Sequence, residues 1–149
     1  MTESYVERSP VPVLRFRVDW NAGGPAAGFR ILESRLPTIK GRKFYGTFRF
    51  VPGGEEYFAC ASRLDTDDPG KMGLEVGEIP GGWYARRKIP DWEKNLARIP
   101  IQFKEMVRVL GDEVDPSRPT VEFYRSQAEL LTLVPVRGAP RSGASRPPS

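Results

Sequence analysis

The sequence contains no histidine and a single cysteine. Without His, a Ser-His-Asp triad, a Cys-His pair and a His general base are all excluded. A lone Cys cannot close an intrachain disulfide, and without His it cannot assemble a zinc site. No metal is therefore expected, and a chain free of disulfides suits a reducing compartment, here expected to be the cytoplasm. Nowhere are there ~18 consecutive apolar residues, so no membrane-spanning helix is expected. The first ten residues, MTESYVERSP, lack the apolar run of a secretory signal. An excess of one charge is nearly absent too: 23 Lys+Arg against 19 Asp+Glu give +4. Arg137, Arg141 and Arg146 lie in or just before the last segment, and without them the balance falls to +1.

What the chain does have is turn formers and aromatics. Its 149 residues fit one domain with a real core, and 15 Gly with 15 Pro imply many turns and short elements. The segment Gly138–Ser149, GAPRSGASRPPS, has no large apolar residue, so residues 138–149 are expected to form a disordered tail after a folded domain over 1–137. Leu14, Phe16 and Val18 alternate with Arg15, Arg17 and Asp19, the period of a half-buried strand. A helix follows, with Pro25 in its first turn and Pro37 ending it. Lys43–Val51 and Glu56–Leu64 read as a hairpin across Pro52-Gly53-Gly54, followed by the loop LDTDDPGKMG. Trp83–Lys88 reads as another strand. Ala97–Gly111 reads as a helix with Pro100 at its first position, Gly111 at its C-cap and a stripe of Ile99, Phe103, Met106, Val107 and Leu110. Strands over Thr120–Arg125 and Leu130–Val136 close the series. Strand, helix, strand, strand thus occurs twice, which predicts an α+β fold with an antiparallel sheet and two helices.

Four phrases, KGRKFYGTFRF, EEYFACASRL, MGLEVGEIPGGWYARRK and PTVEFYRSQAELLTLVPV, together resemble the GyrI-like effector-binding domain. This is the small-molecule-binding module also found in AraC-type and MerR-type multidrug regulators. The resemblance spans about residues 5–136. It implies two pseudo-symmetric strand–helix–strand–strand modules with a ligand cleft between them, taking bulky cationic or aromatic molecules. With no residues left for a DNA-binding domain, the expected form is stand-alone, without direct contact to nucleic acid. Stand-alone relatives include gyrase inhibitors and hydrolases of cyclopropane-bearing genotoxins. One departure is Arg86-Arg87-Lys88, where many relatives carry a His and an apolar run; three cations there would repel a cationic ligand.

Glu122 is the first candidate site residue. Alternation puts it on one strand face with Tyr124, and Val121 with Phe123 on the other. The resemblance assigns Glu122 to the pocket as the acid that meets the ligand, where burial would raise its pKa; the alternative is a surface carboxylate paired with Arg125 or a neighbouring Arg. Tyr124, Tyr84, Tyr57 and Tyr45 could line the site or simply pack the sheet. Trp83 and Trp92 are candidate walls, with core packing as the alternative. Cys60 reads as a buried, inert thiol, since no His can activate it. GEIPGG and VPGGEE lack both the P-loop Lys and a GxGxxG before a helix, so they read as turns and no cofactor is expected.

The favoured reading is a binder of bulky aromatic or amphipathic small molecules, a drug or toxin, around Glu122. The alternative is a hydrolase of strained-ring genotoxins using Glu122 and Tyr124 as its acid–base pair. A second alternative is an interaction protein of the gyrase-inhibitor kind, with a protein partner.

Overall fold

Strand and helix periods in the sequence resolve into eight strands and three α-helices in a computed structural model, which describes residues 3–139. All but the first two residues of the expected tail lie outside that range. In chain order the elements are β1 (Ser4–Arg8), β2 (Val11–Arg17), α1 (Gly24–Arg35), β3 (Phe44–Val51), β4 (Gly54–Ser62) and α2 (Pro69–Met72). They continue as β5 (Glu75–Ile79), β6 (Gly82–Pro90), α3 (Arg98–Leu110), β7 (Thr120–Tyr124) and β8 (Glu129–Pro135). The chain divides into two units: a middle unit, Val11–Ile79, and an outer unit joining the residues up to Pro10 to those from Pro80 onward.

In the middle unit the strands lie in the order β3-β4-β2-β5, every pair antiparallel. Phe44, Phe48, Tyr57, Ala59 and Ala61 join Leu14, Phe16 and Val18 beneath Leu32 and Leu36, whereas Phe50, of the same parity on β3, is 77% exposed. Helix α1 carries Pro25 in its first turn, and Leu36, immediately before Pro37, is its C-cap residue. Its Gly28 faces Val18 so closely that an added Cβ would lie 2.4 Å from Val18 Cγ2. A buried ion pair fixes the loop after β4, with the Arg42 guanidinium 2.7 Å from both Asp67 oxygens. That loop, expected to be irregular throughout, contains the short helix α2, whose N-cap Asp68 accepts the Lys71 N–H.

In the outer unit the order is β1-β6-β8-β7, again antiparallel throughout. Helix α3 covers one face of this sheet. Met106 and Leu110 pack on Tyr5, Ala85, Val134 and Val136, while Ile99 packs on Ile89 and Leu130. Two details of this helix correct the sequence expectation. Pro100 is its third residue, since Ala97 is the N-cap; a Pro is tolerated anywhere in the first turn because those N–H groups have no intrahelical acceptor. Val107 is 41% exposed, and the stripe is completed by Gln102 instead.

The twice-repeated strand–helix–strand–strand order is therefore present, as expected, in an α+β fold with two main helices. Each unit adds a short lead-in strand. β1 runs directly into β2 yet pairs with β6, and β5 runs directly into β6 yet pairs with β2. Both are five residues long and rich in charge, SYVER and EVGEI, so they lack the apolar alternation that reveals a strand. Gly81 permits the close chain approach beside β1, since a Cβ there would lie 2.9 Å from Pro10 N and 3.0 Å from Arg8 O. Among the described residues no helix is long and apolar enough to cross a membrane.

Candidate functional site

The outer unit carries a polar row across a sheet face that is otherwise apolar. On β7 the pleat turns Glu122 and Tyr124 to the same face, as the sequence implied. The ladder places Glu122 opposite Thr132 and Tyr124 opposite Leu130. One strand further, Thr132 stands opposite Arg87 and Leu130 opposite Ile89. Glu122, Thr132 and Arg87 thus form one row, and Tyr124, Leu130 and Ile89 the next, both on the face that α3 covers.

At one end of this face the Tyr124 hydroxyl donates to Glu122 Oε1 at 2.6 Å. The Tyr124 ring meets Trp92 edge-on, with centroids 4.9 Å apart and planes at 70°. Trp92 is itself fixed by its indole N–H, which donates to Ser126 O at 2.9 Å. Glu122 and Tyr124 are both half-buried. A carboxylate, a phenol and an indole are therefore held together with defined orientations. Such a group can accept a hydrogen bond or a positive charge and offer aromatic surface to a flat or bulky ligand. Arg125, considered as a partner for Glu122, bonds Glu129 instead at 3.2 Å.

The centre of the row is fully enclosed. Thr132 is 0% exposed, and its Oγ1 accepts from Gln102 Nε2 at 2.8 Å. The Thr132 hydroxyl has Arg87 O at 3.3 Å and Met106 Sδ at 3.2 Å as acceptors. Gln102 also reaches Lys88 O at 3.4 Å. Every buried side-chain polar atom among the described residues has a partner. At the far end Arg87 places Nε 3.1 Å from both oxygens of Glu3, and Nη1 2.7 Å from Glu105. The Glu3 hydrogen bond, chiefly, raises the Arg87 pKa further, and Arg87 in turn holds the Glu105 carboxyl below its ordinary range.

Beside this end lies a groove of about 450 Å³, past the start of β1 and along α3. Its walls include Glu3, Arg86, Arg87, Arg98, Ile101 and Gln102. Of the three consecutive cations, Arg87 has two carboxylate partners and Lys88 lies 3.6 Å from Glu129. The charge expected to repel a cationic ligand is thus largely countered within the fold.

The remaining sequence candidates are spread out. Trp83 lies on the α3 face but packs with Tyr5, Met106 and Leu110 rather than with Trp92. Tyr84 lies on the opposite face, is 0% exposed, and donates its hydroxyl to Pro80 O. Burial pushes its phenol pKa up, against the lowering effect of Arg118, whose guanidinium stacks 5.0 Å from the ring. Tyr45 and Tyr57 belong to the middle unit. Tyr57 packs under α1 with Trp20 and Phe29 edge-on, whereas Tyr45 faces the other way. Cys60, also in that unit, is buried, and burial pushes its thiol up to about 12, as an inert core Cys requires. Sequence reasoning missed Gln102, Thr132 and Glu3. The signal for Gln102 was present: it lies three residues after Ile99 and four before Met106, squarely on the buried stripe.

No protein-family model matches the sequence, and no curated protein matches it. Solved structures do. SAV2435 bound to tetraphenylphosphonium is similar with a TM-score of 0.67 at 13% identity, over 93% of this chain and 95% of that one. An integron cassette protein from the mobile metagenome of Vibrio cholerae gives 0.66 at 14% identity, over 89% and 94%. A putative bacterial transcription regulation protein from Staphylococcus aureus MU50 gives 0.64 at 12% identity, over 93% and 99%. At these identities the likeness is one of fold alone.

Proposed function

We propose that this chain is a small-molecule-binding protein of the GyrI-like kind, whose ligand is a bulky aromatic or amphipathic molecule held against Glu122. The observation that carries the reading is the Glu122–Tyr124–Trp92 cluster, in which a carboxylate is bonded to a phenol at 2.6 Å beside an edge-on indole. A carboxylate next to aromatic faces is suited to a delocalised or shielded cation, which combines charge attraction with ring contact. The tetraphenylphosphonium of the similar structure has that chemistry, a positive charge wrapped in phenyl rings. The countered charges of Arg87 and Lys88 support the reading, because they reduce the repulsion such a ligand would meet.

The test is a thermal-shift titration with tetraphenylphosphonium on the full chain and on Glu122→Gln. A ligand that binds only the folded state raises the melting temperature with concentration. The wild type is expected to be stabilised and Glu122→Gln much less so. A flat response in the wild type, or equal responses in the two, overturns the proposal.

The same hydrogen-bonded pair supports a second reading, a hydrolase of strained-ring genotoxins. Glu122 would activate water, and the Tyr124 hydroxyl would polarise a substrate oxygen. Incubation with a cyclopropane-bearing electrophile, followed by mass spectrometry, separates the two. Many product molecules per chain identify an enzyme, whereas loss of one equivalent or none leaves the binder.

A further inference from the structure

In both units the strand that leads to the main helix is followed by the same two residues, Asp-Trp, but not at the same place. Glu75, the first residue of β5, stands opposite Arg15, and Ser4, the first residue of β1, stands opposite Arg86. Arg15 and Arg86 are therefore equivalent positions, and counting onward makes Val18 equivalent to Ile89 and Trp20 to Asp91. The neighbouring strands agree. Val18 donates its N–H to Tyr57 O, and Tyr57 stands opposite Phe48; likewise Ile89 stands opposite Leu130, and Leu130 opposite Tyr124. The outer unit thus carries one extra residue before its Trp.

That residue changes where the indole lands. Trp20 meets Tyr57, on the strand next to its own, with centroids 6.0 Å apart. Trp92 reaches one strand further, to Tyr124 at 4.9 Å, the ring whose hydroxyl is bonded to Glu122. The extra residue, Asp91, is left-handed with φ 49° and ψ 48°, the one non-glycine residue of positive φ among the described residues. A residue with a Cβ keeps that conformation only where its surroundings hold it. Asp91 is held by its own N–H, which donates to Ala128 O at 2.6 Å, and by the Lys94 N–H, which donates to Asp91 O at 3.0 Å. The Asn95 side-chain amide completes the turn, donating to Pro90 O at 3.2 Å and to Asp91 O at 3.0 Å. It thereby clamps the carbonyls on both sides of the left-handed residue. In the middle unit Asp19 closes the turn instead, accepting from the N–H groups of Asn21, Ala22 and Gly24.

We propose that Asn95 is a positioning residue for the Glu122 site: by locking Asp91 in its turn it sets Trp92 over Tyr124, and this makes the site prefer cations that carry aromatic rings to aliphatic cations of similar size. The inference rests on the binding reading above and adds to it the source of selectivity. Glu122 attracts either kind of cation by charge alone. Ring-to-ring contacts with the fixed indole are open only to the aromatic one. The two Asn95 bonds lie at the surface, so water can take their place and the fold loses little when the amide is removed.

The test compares tetraphenylphosphonium with tetrabutylphosphonium, titrated by calorimetry into the full chain. The wild type is expected to prefer the aromatic cation. Asn95→Ala should weaken tetraphenylphosphonium by about fivefold, the worth of one aromatic contact, and leave tetrabutylphosphonium unchanged. Adding Asp91→Gly should recover part of the preference, because glycine takes the left-handed turn without a clamp. Asn21→Ala, in the turn after β2, should leave both affinities as they are. Fluorine NMR of the chain labelled with fluorotryptophan reads the indole directly, the Trp92 resonance being assigned with Trp92→Phe. Asn95→Ala should move that resonance and leave those of Trp20 and Trp83 in place. An unmoved Trp92 resonance, equal loss of both cations, an unaltered preference in Asn95→Ala, no recovery with Asp91→Gly, or the same loss in Asn21→Ala each overturns the proposal. If neither cation binds the wild type, the binding reading falls and the selectivity with it, while the Trp92 resonance still decides whether Asn95 positions the indole.

Discussion

Gln102 donates its side-chain amide to Thr132 Oγ1 at 2.8 Å inside the face that α3 covers. Both residues are at most 9% exposed, so neither group can turn to water if the other is lost. Removing Gln102 takes from the buried Thr132 Oγ1 the amide donor it accepts from, although the Thr132 hydroxyl keeps Arg87 O as acceptor; losing a buried partner costs about 1–3 kcal/mol, whereas replacing both by apolar groups of similar shape comes close to neutral. Gln102→Leu alone should therefore destabilise by about 2 kcal/mol. Gln102→Leu with Thr132→Val should cost clearly less than the two singles added. Urea unfolding of the four proteins in the cycle measures this coupling, and strict additivity would show that the bond contributes nothing.

The buried ion pair of Arg42 and Asp67 makes a different case. Both side chains are at most 1% exposed, and Arg42 also donates to Thr38 O at 2.6 Å and Ser62 O at 3.2 Å. Asp67→Asn keeps the shape but strands a buried guanidinium without its counter-charge. Breaking such a pair from one side costs about 3–5 kcal/mol. Chemical denaturation should therefore show a loss near the upper end for single substitutions. A loss under about 1 kcal/mol, the worth of a surface pair, would mean that the site is hydrated in solution.

Acid should unfold the protein in a window that these carboxyls define. Asp115, bonded by Ser117 and then Arg118, is lowered from 3.8 to about 2. Asp67 is lowered as well, first by its hydrogen bond from Arg42. A carboxyl depressed on folding contributes its stability fully above the unfolded value and loses it as pH falls through the folded one. Stability should thus be level above pH about 5 and decline between about 4 and 2. Asp115→Asn should make that decline shallower. Melting curves recorded at intervals of pH test both statements, and a decline unaltered in Asp115→Asn would assign it to other groups.

How much of this was legible in the sequence follows from which signals are local. Leu14, Phe16 and Val18 announce a strand because one face is buried and the other is charged. Phe44–Val51 and its Pro-Gly-Gly turn announce a hairpin for the same reason. The lead-in strands were invisible because SYVER and EVGEI owe their structure to a partner strand distant in sequence, not to their own pattern. Glu122 and Tyr124 share a face, as alternation alone required. That Tyr84 turns to the other face from Glu122 depends on the register of three strands, which no local pattern specifies. Gln102 was readable as a position and unreadable as a choice: the stripe showed that residue 102 points inward, but not that Thr132 would be there to receive it.

Gly28 tests how closely α1 is pressed onto the sheet. In an exposed helix, Ala in place of Gly gains about 1 kcal/mol. Here the new Cβ would lie 2.4 Å from Val18 Cγ2 and 3.9 Å from Ala59 Cβ. Val18 is 5% exposed, its β-branched side chain has little rotamer freedom, and its backbone N–H is bonded to Tyr57 O at 2.9 Å. It cannot retreat cheaply, so overpacking of about 1–3 kcal/mol outweighs the helix gain and Gly28→Ala should destabilise. The sign should reverse once the obstructing methyls are gone. In a Val18→Ala background the clash disappears, part of the cavity is filled, and adding Gly28→Ala should stabilise by up to about 1 kcal/mol. Thermal melts of the four variants decide it, because a Gly28→Ala effect of the same sign in both backgrounds would show that Val18 is not what keeps residue 28 a glycine.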